Sequence, residues 1–308
     1  MTAMKKINNL LVCLDLTDMD DTLIRYANYA AEMFNPDKII FYHVMDSYEM
    51  PDFLFEDDDF DELKKPVDEL IKEELDEKVK TGFSGEVKHE VILESGMTVE
   101  TIIHYVRKNN VDLTLMGKKI GYTGQGDVVK SVIGLISSSI LLISETTQHQ
   151  INKIMVRTNF ERPSQMAFQM AERLAESVDA SLEFHHVYKF PYNYYPDQSA
   201  ANLKLVRKKL EPYLSKAFNK FVKKYKIPAD IPFKYSLDVD GDEAQSLYKY
   251  AIKSGCDLVV TGSRIKSKLA NIMTDSTSKK LAEAGKNIPV LIVKDTKDSI
   301  GFLKALFD

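Results

Sequence analysis

A glycine-rich segment in the first half of the chain combines the residue types that bind a polyphosphate. Closely spaced glycines let backbone N–H groups approach an anion, and a helix that follows them adds its positive N-terminal end. A lysine adds positive charge and a serine adds a hydroxyl group. The segment therefore predicts an anion site made of Gly117, Gly121, Gly124, Gly126, Lys130 and Ser131.

The spacing of these glycines differs from two common nucleotide-binding motifs. The segment is not a Walker A loop, because no Gly-Lys-Ser/Thr follows a four-residue gap. It is not a dinucleotide fingerprint either, since that motif follows the first strand of a domain. The alternative interpretation is a surface loop whose glycines only permit tight turns.

Other catalytic and metal-binding patterns are missing from the sequence. The six histidines form no HExxH motif and no Cys/His ligand cluster, and no GxSxG nucleophile elbow is present. Cys13 and Cys256 suggest two small buried hydrophobic side chains rather than a disulfide framework. His43 and His186 are predicted to be strand-end or core residues. We therefore expect no enzymatic activity.

Acidic residues after the first predicted strand suggest a different chemistry. Asp15, Asp18, Asp20 and Asp21 resemble the metal-binding acids of a phospho-accepting receiver domain. Such a domain also needs an Asp after its third strand and a Lys after its fifth, and the sequence offers only Glu94 at the first of these places. We expect instead that these acids complement the dipole of the following helix.

Short apolar runs alternate with helical patterns along the first half. Strands are predicted at Leu10–Leu14, Lys38–Val44, Val87–Leu93, Val111–Met116 and Ile140–Ile143. Helices are predicted at Met19–Phe34, Asp61–Val79, Thr98–Lys108 and Asp127–Ile136. This alternation predicts a mostly parallel sheet with helices on both faces.

The second half repeats this order at an offset of about 145 residues, which is the size of a small domain. Its strands are predicted at Lys153–Val156, Ser181–Val187, Phe233–Leu237, Leu258–Thr261 and Val290–Val293. Its helices are predicted at Ser164–Ser177, Asn202–Tyr225, Glu243–Lys253 and Ser276–Ala284. The landmarks that keep the offset are the pairs Asp15 and Asn159, His43 and His186, Gly96 and Gly241, Asp112 and Asp257, Gly117 and Gly262, and Ser131 and Ser276.

The repeat predicts two tandem α/β domains, each with an open parallel sheet of about five strands. We place them at residues 1–147 and 148–308, with the boundary in the polar stretch Ser144–Gln150. Ligands of such sheets bind beyond the carboxyl ends of the strands. Asp15, directly after the first strand, is therefore expected beside the glycine-rich segment, and Asn159 takes the equivalent place in the second half.

The two halves carry opposite charges. Residues 1–150 contain 15 basic and 28 acidic residues, a net −13, whereas residues 151–308 contain 26 and 18, a net +8. We expect mutual attraction within a chain or between chains. A nucleic-acid surface is the alternative, but no binding motif accompanies the basic residues.

Apolar stretches in the sequence are short. None approaches the ~20 residues that cross a bilayer, and Leu10–Leu14 is too short for the apolar region of a signal peptide. We therefore expect a cytoplasmic protein with no membrane or nucleic-acid partner.

Each half resembles a domain of the universal stress protein family. The resemblance rests on Asp15 and Asn159 after the first strands, the His-Val pairs at His43 and His186, the fourth strands ending at Gly117 and Gly262, and the closing segment 287–294. It covers nearly all of both halves, so the whole chain resembles a tandem member. The resemblance implies two Rossmann-like α/β domains.

The resemblance also implies a nucleotide site in the first half. ATP-binding members of the family carry Gly-x2-Gly-x9-Gly-Ser/Thr after strand four, and an Asp after strand one contacts adenine. Asp15, Gly117 and Ser131 match this pattern, whereas Ile120 and Lys130 replace the second and third glycines. A shifted loop that uses the remaining glycines is expected to hold ATP or another adenine nucleotide. No metal is expected beyond a Mg²⁺ that accompanies the nucleotide.

The second half departs further from the family pattern. Gly262 and Ser276 match, but Asn159 replaces the adenine-contacting Asp, and Ile265 and Asp275 replace the later glycines. A carboxylate repels phosphate, and a side chain at Ile265 blocks the approach of the backbone. We expect that this half does not bind ATP in the manner of the family.

The leading hypothesis is a non-enzymatic stress-response protein whose first domain binds an adenine nucleotide and which signals through an unknown protein partner. The resemblance implies that the halves pair as an intramolecular pseudo-dimer through Ile140–Ile143 and Val290–Val293, and a homodimer is a further expectation. One alternative is a nucleotide-independent interaction protein in which both sites are degenerate. A weak ATPase is the other.

Overall fold

The computed structural model describes residues 6–45, 67–118, 126–191, 197, 199–263, 280–281 and 287–294. Its contacts divide the chain into two compact units, Lys5–Glu145 and Thr146–Asp308. We call these the first unit and the second unit. Both have an α/β fold.

Strands and helices alternate through the described part of the first unit. The strands are β1 (Asn9–Leu14), β2 (Lys38–Met45), β3 (His89–Ser95), β4 (Leu113–Lys118) and β5 (Ser139–Ser144). The helices are α1 (Met19–Phe34), α2 (Val67–Gly82), α3 (Thr98–Lys108) and α4 (Gly126–Leu135).

The strands of the first unit form a parallel sheet in the order β3-β2-β1-β4-β5. β1, β4 and β5 are mostly buried, as expected for a parallel sheet whose two faces are covered by helices. In the register of β1 with β4, Cys13 lies opposite Met116. The carboxyl ends of these two strands therefore lie side by side.

The described part of the second unit repeats the alternation. Its strands are β6 (Lys153–Arg157), β7 (Ser181–Lys189), β8 (Phe233–Asp238), β9 (Leu258–Ser263) and β10 (Val290–Lys294). Its helices are α5 (Arg162–Val178), α6 (Ala200–Tyr225) and α7 (Glu243–Lys253). The parallel order β10-β9-β6-β7-β8 again puts the first strand of the unit between its second and fourth strands.

The structure confirms the predicted fold class, and α1, α3 and α7 have the predicted bounds. Most other elements begin or end within about two residues of the prediction, which is the usual uncertainty of an element boundary. Two predicted helical regions lie wholly or partly outside the described residues. They are the start of Asp61–Val79 and most of Ser276–Ala284.

A carboxylate ties the start of the first strand to the start of the fourth in each unit. Asp112 Oδ2 accepts hydrogen bonds from the backbone N–H groups of Asn8 and Asn9 at 2.8 and 3.2 Å. Asp257 Oδ2 does the same for Asn152 and Lys153 at 2.9 and 3.0 Å. The repeated Asp is therefore structural in both units, because it satisfies two backbone donors that precede the sheet.

Candidate functional site

The structure brings part of the predicted site together at the carboxyl edge of the first unit's sheet. Asp15 follows β1 and is exposed, and Gly117 lies near the end of the neighbouring strand β4. Helix α4 begins at Gly126, and its residues Lys130 and Ser131 are half-exposed. The remaining predicted site residues, Gly121 and Gly124, lie outside the described residues.

The turn between β1 and α1 is held by a carboxylate that sequence reasoning did not single out. The backbone N–H groups of Asp15 and Leu16 donate to the two oxygens of Asp20 at 2.8 and 3.0 Å. Leu16 has a φ of 59°, so this clamp holds a left-handed turn at a residue other than glycine. Burial raises the pKa of Asp20, while the two N–H bonds and Lys78 oppose that effect.

The side chain of Asp15 is exposed. Its Oδ1 accepts a hydrogen bond from the Thr17 hydroxyl at 2.5 Å. A carboxylate has acceptor capacity for several donors. The receiver-domain interpretation is not needed, because Asp20 serves the backbone and Asp15 faces solvent.

Gly117 has a packing role as well as its predicted role in the anion site. A Cβ added at this position would lie 2.5 Å from Cγ of Met19, at the start of α1. Helix α1 therefore crosses β4 closely enough to favour glycine there. The approach is closer at the equivalent glycine of the second unit. A Cβ added at Gly262 would lie 1.9 Å from the backbone oxygen of Pro163 in α5.

The equivalent turn of the second unit is satisfied by its own side chains. Ser164, the counterpart of Asp20, accepts from the Asn159 backbone N–H at 2.9 Å and donates its hydroxyl to Asn159 Oδ1 at 2.7 Å. The Asn159 amide also donates to Glu161 at 3.3 Å. The amide that replaces the predicted adenine-contacting Asp is therefore engaged within the turn.

An aromatic side chain covers the end of the second unit's sheet near this turn. Phe160, which takes the place of Leu16, lies 4.7 Å from the ring of His186 and 5.9 Å from that of Phe233. Phe160 also has a positive φ of 63°. The backbone turn is the same in both units, but in the second unit its side chain packs against other aromatic rings.

His43 and His186 have the structural role that the sequence predicted for them. Nδ1 of His43 lies 2.9 Å from the carbonyl oxygen of Leu14, and Nδ1 of His186 lies 2.7 Å from that of Thr158. Each histidine therefore joins the end of its unit's second strand to the end of the first. Burial lowers the pKa of His186, and the bond to Thr158 opposes that effect.

A buried ion pair closes the second unit's edge, and sequence reasoning missed it. Arg157 Nε donates to Glu243 Oε1 at 2.7 Å, with the Arg157 side chain 9% and the Glu243 side chain 24% exposed. By the repeat offset, Cys13 and Thr98 stand at these places in the first unit. The sequence does show a charged residue, Arg157, at the end of an apolar strand. Its partner Glu243 is 86 residues away, so the pair could not be predicted from local sequence.

The face of the sheet under α7 also contains polar side chains. Glu183 forms an ion pair with Lys153 at 2.9 Å and accepts from the Cys256 thiol at 3.7 Å. His185 stacks on Tyr250 at 3.7 Å and its Nε2 lies 3.0 Å from Ser236 Oγ. These residues form a buried polar layer in the second unit.

The corresponding place in the first unit has a different chemistry. Tyr42 packs on Tyr105 with ring centroids 4.4 Å apart, and its hydroxyl donates to Glu94 at 2.7 Å. Burial raises the pKa of both tyrosines, that of Tyr105 to about 12. In the second unit burial lowers the pKa of His185 to about 3, with His186 adding to the effect.

Neither cysteine is set up as a nucleophile. Burial raises the pKa of Cys13 to about 12 and that of Cys256 to about 11, so both are thiols at neutral pH. Within the residues that the structure describes, no group of three or more His, Cys, Asp or Glu side chains could hold a metal ion. In the same residues, no helix is both long and apolar enough to cross a membrane.

Comparisons with known proteins agree with the duplicated architecture. The model of the universal stress protein family matches residues 6–144 and again residues 150–294. A universal stress protein from Archaeoglobus fulgidus has a similar structure, with a TM-score of 0.61 and 15% sequence identity over 95% of this chain and 98% of that one. A functionally unknown protein from Pseudomonas aeruginosa PAO1 has a TM-score of 0.61 at 12% identity, over 97% of this chain and 96% of that one. At these identities the structural likeness supports the fold alone.

A curated relative matches over a shorter segment. The stress response protein NhaX from Bacillus subtilis is 43% identical over 56 residues, which is 18% of this chain and 33% of that protein. The matched segment thus spans one third of the relative's length. The two family matches together cover most of the chain and follow the two structural units. The chain belongs to the universal stress protein family, as a member with two family domains in tandem.

Proposed function

We propose that the first unit binds an adenine nucleotide and that the protein acts without turning it over. The observation that carries the proposal is the exposed Asp15 carboxylate at the end of β1, beside the end of β4 where the glycine-rich segment begins. Ligands of open parallel sheets bind at this edge. The family match covers nearly the whole first unit.

Each residue has a distinct part in this proposal. Asp15 accepts a hydrogen bond from the exocyclic amine of adenine, which is a donor. Lys130 and Ser131, in the first turns of α4, bind the phosphates together with backbone N–H groups of the segment that includes Gly121 and Gly124. Mg²⁺ accompanies the phosphates as it does in solution and needs no dedicated protein ligands.

The second unit supports the proposal by contrast. Its Asn159 amide is engaged with Ser164 and Glu161, and its edge is closed by the Arg157–Glu243 ion pair and by Phe160. We propose that this unit has a structural or interaction role. Nucleotide binding in the first unit then signals by favouring one conformation for a protein partner, which requires that the partner binds the two states with different affinity.

The test is isothermal titration of the full-length protein with ATP. We expect one site per chain, with binding weakened about tenfold or more by Asp15→Ala, Lys130→Ala and Ser131→Ala, since each removes a hydrogen bond that involves a charged group. Asn159→Ala is the matched control in the second unit and should leave the affinity unchanged. Gly117→Val is a poor probe, because the added side chain would collide with Met19.

The result that contradicts the proposal is no heat of binding at millimolar ATP for a folded protein. That outcome would favour a nucleotide-independent interaction protein. Loss of binding with Asn159→Ala alone would move the site to the second unit. Release of phosphate that depends on Ser131 would contradict the non-enzymatic part of the proposal.

A further inference from the structure

The long helix α6 of the second unit presents a row of exposed lysines. Its buried residues recur every four positions and face the core of the unit: Val206, Leu210, Leu214 and Phe218. The opposite side is exposed and contains the basic stripe, which we define as Lys209, Lys216, Lys220 and Lys223. Spacings of seven, four and three residues put these four lysines on one face of a helix.

The basic stripe is not neutralised by its own helix. Residues 200–225 contain eight basic residues and a single acidic one, Glu211, and like charges three or four positions apart destabilise a helix. Two apolar side chains lie along the same face, Leu205 at 41% and Tyr213 at 62% exposed. A face with this composition fits a negatively charged partner that also offers some apolar surface.

The first unit carries such a surface on α1 and α2. Within Val67–Gly82, six residues are acidic and three are basic. We define the acidic surface as Asp21, Glu73, Glu74 and Glu77, all of which are exposed. Leu70, at 41% exposed, lies beside Glu73 and Glu77 on the helix.

A cleft adjoins the acidic surface. It has a volume of about 620 Å³ and lies between α1 and α2, where Asp21, Glu74 and Glu77 line it together with Arg25 and Lys78. Lys78 is already 3.8 Å from both Asp20 and Glu74. The carboxylates therefore outnumber the cations around a space large enough for the side chain of an incoming lysine.

We propose that the basic stripe of one copy of this protein docks on the acidic surface of a second copy. The two faces are complementary in charge, and each offers an exposed leucine to the other. The inference does not depend on the nucleotide site. RNA or an anionic membrane would also attract the lysines, but neither would account for the acidic surface, whereas a second copy accounts for both.

Sedimentation velocity at low and high salt tests the proposal first. The wild-type protein should associate at about 20 mM salt and dissociate at about 500 mM, because exposed charges are screened over a shorter distance at high salt. K216E/K220E/K223E, in the stripe, and E73K/E74K/E77K, in the acidic surface, should each be monomeric at low salt. Far-UV circular dichroism checks that both variants are folded.

Mixing the two variants is the decisive step. Each variant has two faces of the same sign and repels its own copies, but the mixture again pairs a basic face with an acidic one. An equimolar mixture at low salt should therefore form a complex that neither variant forms alone. A matched control is K189E/K234E/K253E, which changes the net charge equally at exposed lysines outside α6 and should still associate.

Three results would overturn the inference. One is a wild-type protein that stays monomeric at low salt, including the case in which it binds RNA or anionic vesicles through the stripe. Another is a control variant that dissociates as completely as the stripe variant. The third is a mixture of the two folded variants that remains monomeric.

Discussion

The carboxyl edges of the two units differ although the turns beneath them are alike. In the first unit the turn after β1 leaves Asp15 exposed beside the end of β4. In the second unit the same turn places Phe160 on His186, and Arg157 pairs with Glu243 close by. The duplication has kept residues that hold the strands together and changed residues at the carboxyl edge of the sheet.

Three of the retained pairs have structural roles in both units. The Asp112 and Asp257 carboxylates and the two strand-end histidines have equivalent contacts in both units, and the two glycines of the fourth strands both lie against the first helix of their unit. A residue shared by the two halves of this sequence is therefore weak evidence for a binding site. The residues that differ are the better guide to function.

The largest expected effect is a loss of stability on replacing the glycine of a fourth strand, and it should differ between the two units. Gly262→Ala should destabilise the second unit by about 3 kcal/mol or more, because the new Cβ meets the backbone of Pro163 at 1.9 Å. Gly117→Ala should cost about 1 kcal/mol, since the side chain of Met19 can move. Hydrogen exchange of the full-length protein measures the protection of each unit. Equal losses in the two variants would contradict this difference.

The next prediction concerns the ion pair that closes the second unit's edge. Glu243→Thr should cost about 3 kcal/mol, because it leaves Arg157 buried without this partner. The double variant R157C/E243T carries the residues of the first unit and should recover most of that loss. Urea unfolding measures both.

An exposed ion pair between α7 and the loop before it provides the control. Lys249 and Asp240 are 62% and 58% exposed, so Lys249→Ala should cost no more than about 0.5 kcal/mol. A double variant as unstable as Glu243→Thr would show that the edge depends on the ion pair itself rather than on avoiding a buried charge.

The prediction with the smallest effect at neutral pH is a pH dependence of the second unit. Because the pKa of His185 is about 3 in the folded protein and about 6.5 in an unfolded chain, the unfolded state binds more protons between these values. The contribution of His185 is therefore full above about pH 6.5 and falls on the order of 1.4 kcal/mol per pH unit below it. Its ring nitrogen Nδ1 has no hydrogen-bond partner among the described residues.

Thermal unfolding between pH 7 and pH 4 measures this slope. His185→Tyr, which introduces the residue that the first unit has at Tyr42, should reduce it, and the part that remains is that of His186, whose pKa burial also lowers. His104 is exposed in the first unit, so His104→Gln should leave the slope as it is. An unchanged slope in His185→Tyr would contradict the assignment.

The sequence predicted the fold well because the fold depends on local patterns. The apolar runs of β1 and β4 and the helical spacing of α1 are visible without knowledge of distant contacts. The offset between the halves then predicted the sheet of one unit from the other. Asp15 could also be placed correctly, since a residue after the first strand of a parallel sheet lies at its carboxyl edge.

The contacts that distinguish the two edges could not be predicted in the same way. The Arg157–Glu243 pair joins residues that meet only when β6 and α7 are packed. The clamp of Asp20 on Asp15 and Leu16 depends on a left-handed backbone at Leu16, which residue type does not suggest. The packing role of Gly117 could be recognised only once the position of α1 on β4 was known.

The bonds from Asp112 and Asp257 have a consequence for the order of synthesis. Each reaches back 104 residues to the start of its unit, so the first strand is secured on both sides only after the fourth has left the ribosome. At roughly 5–20 residues per second, an apolar strand waits on the order of ten seconds for its second neighbour. During that time the nascent chain exposes apolar surface and an unpaired strand edge, both of which favour aggregation. This happens twice, once for each unit.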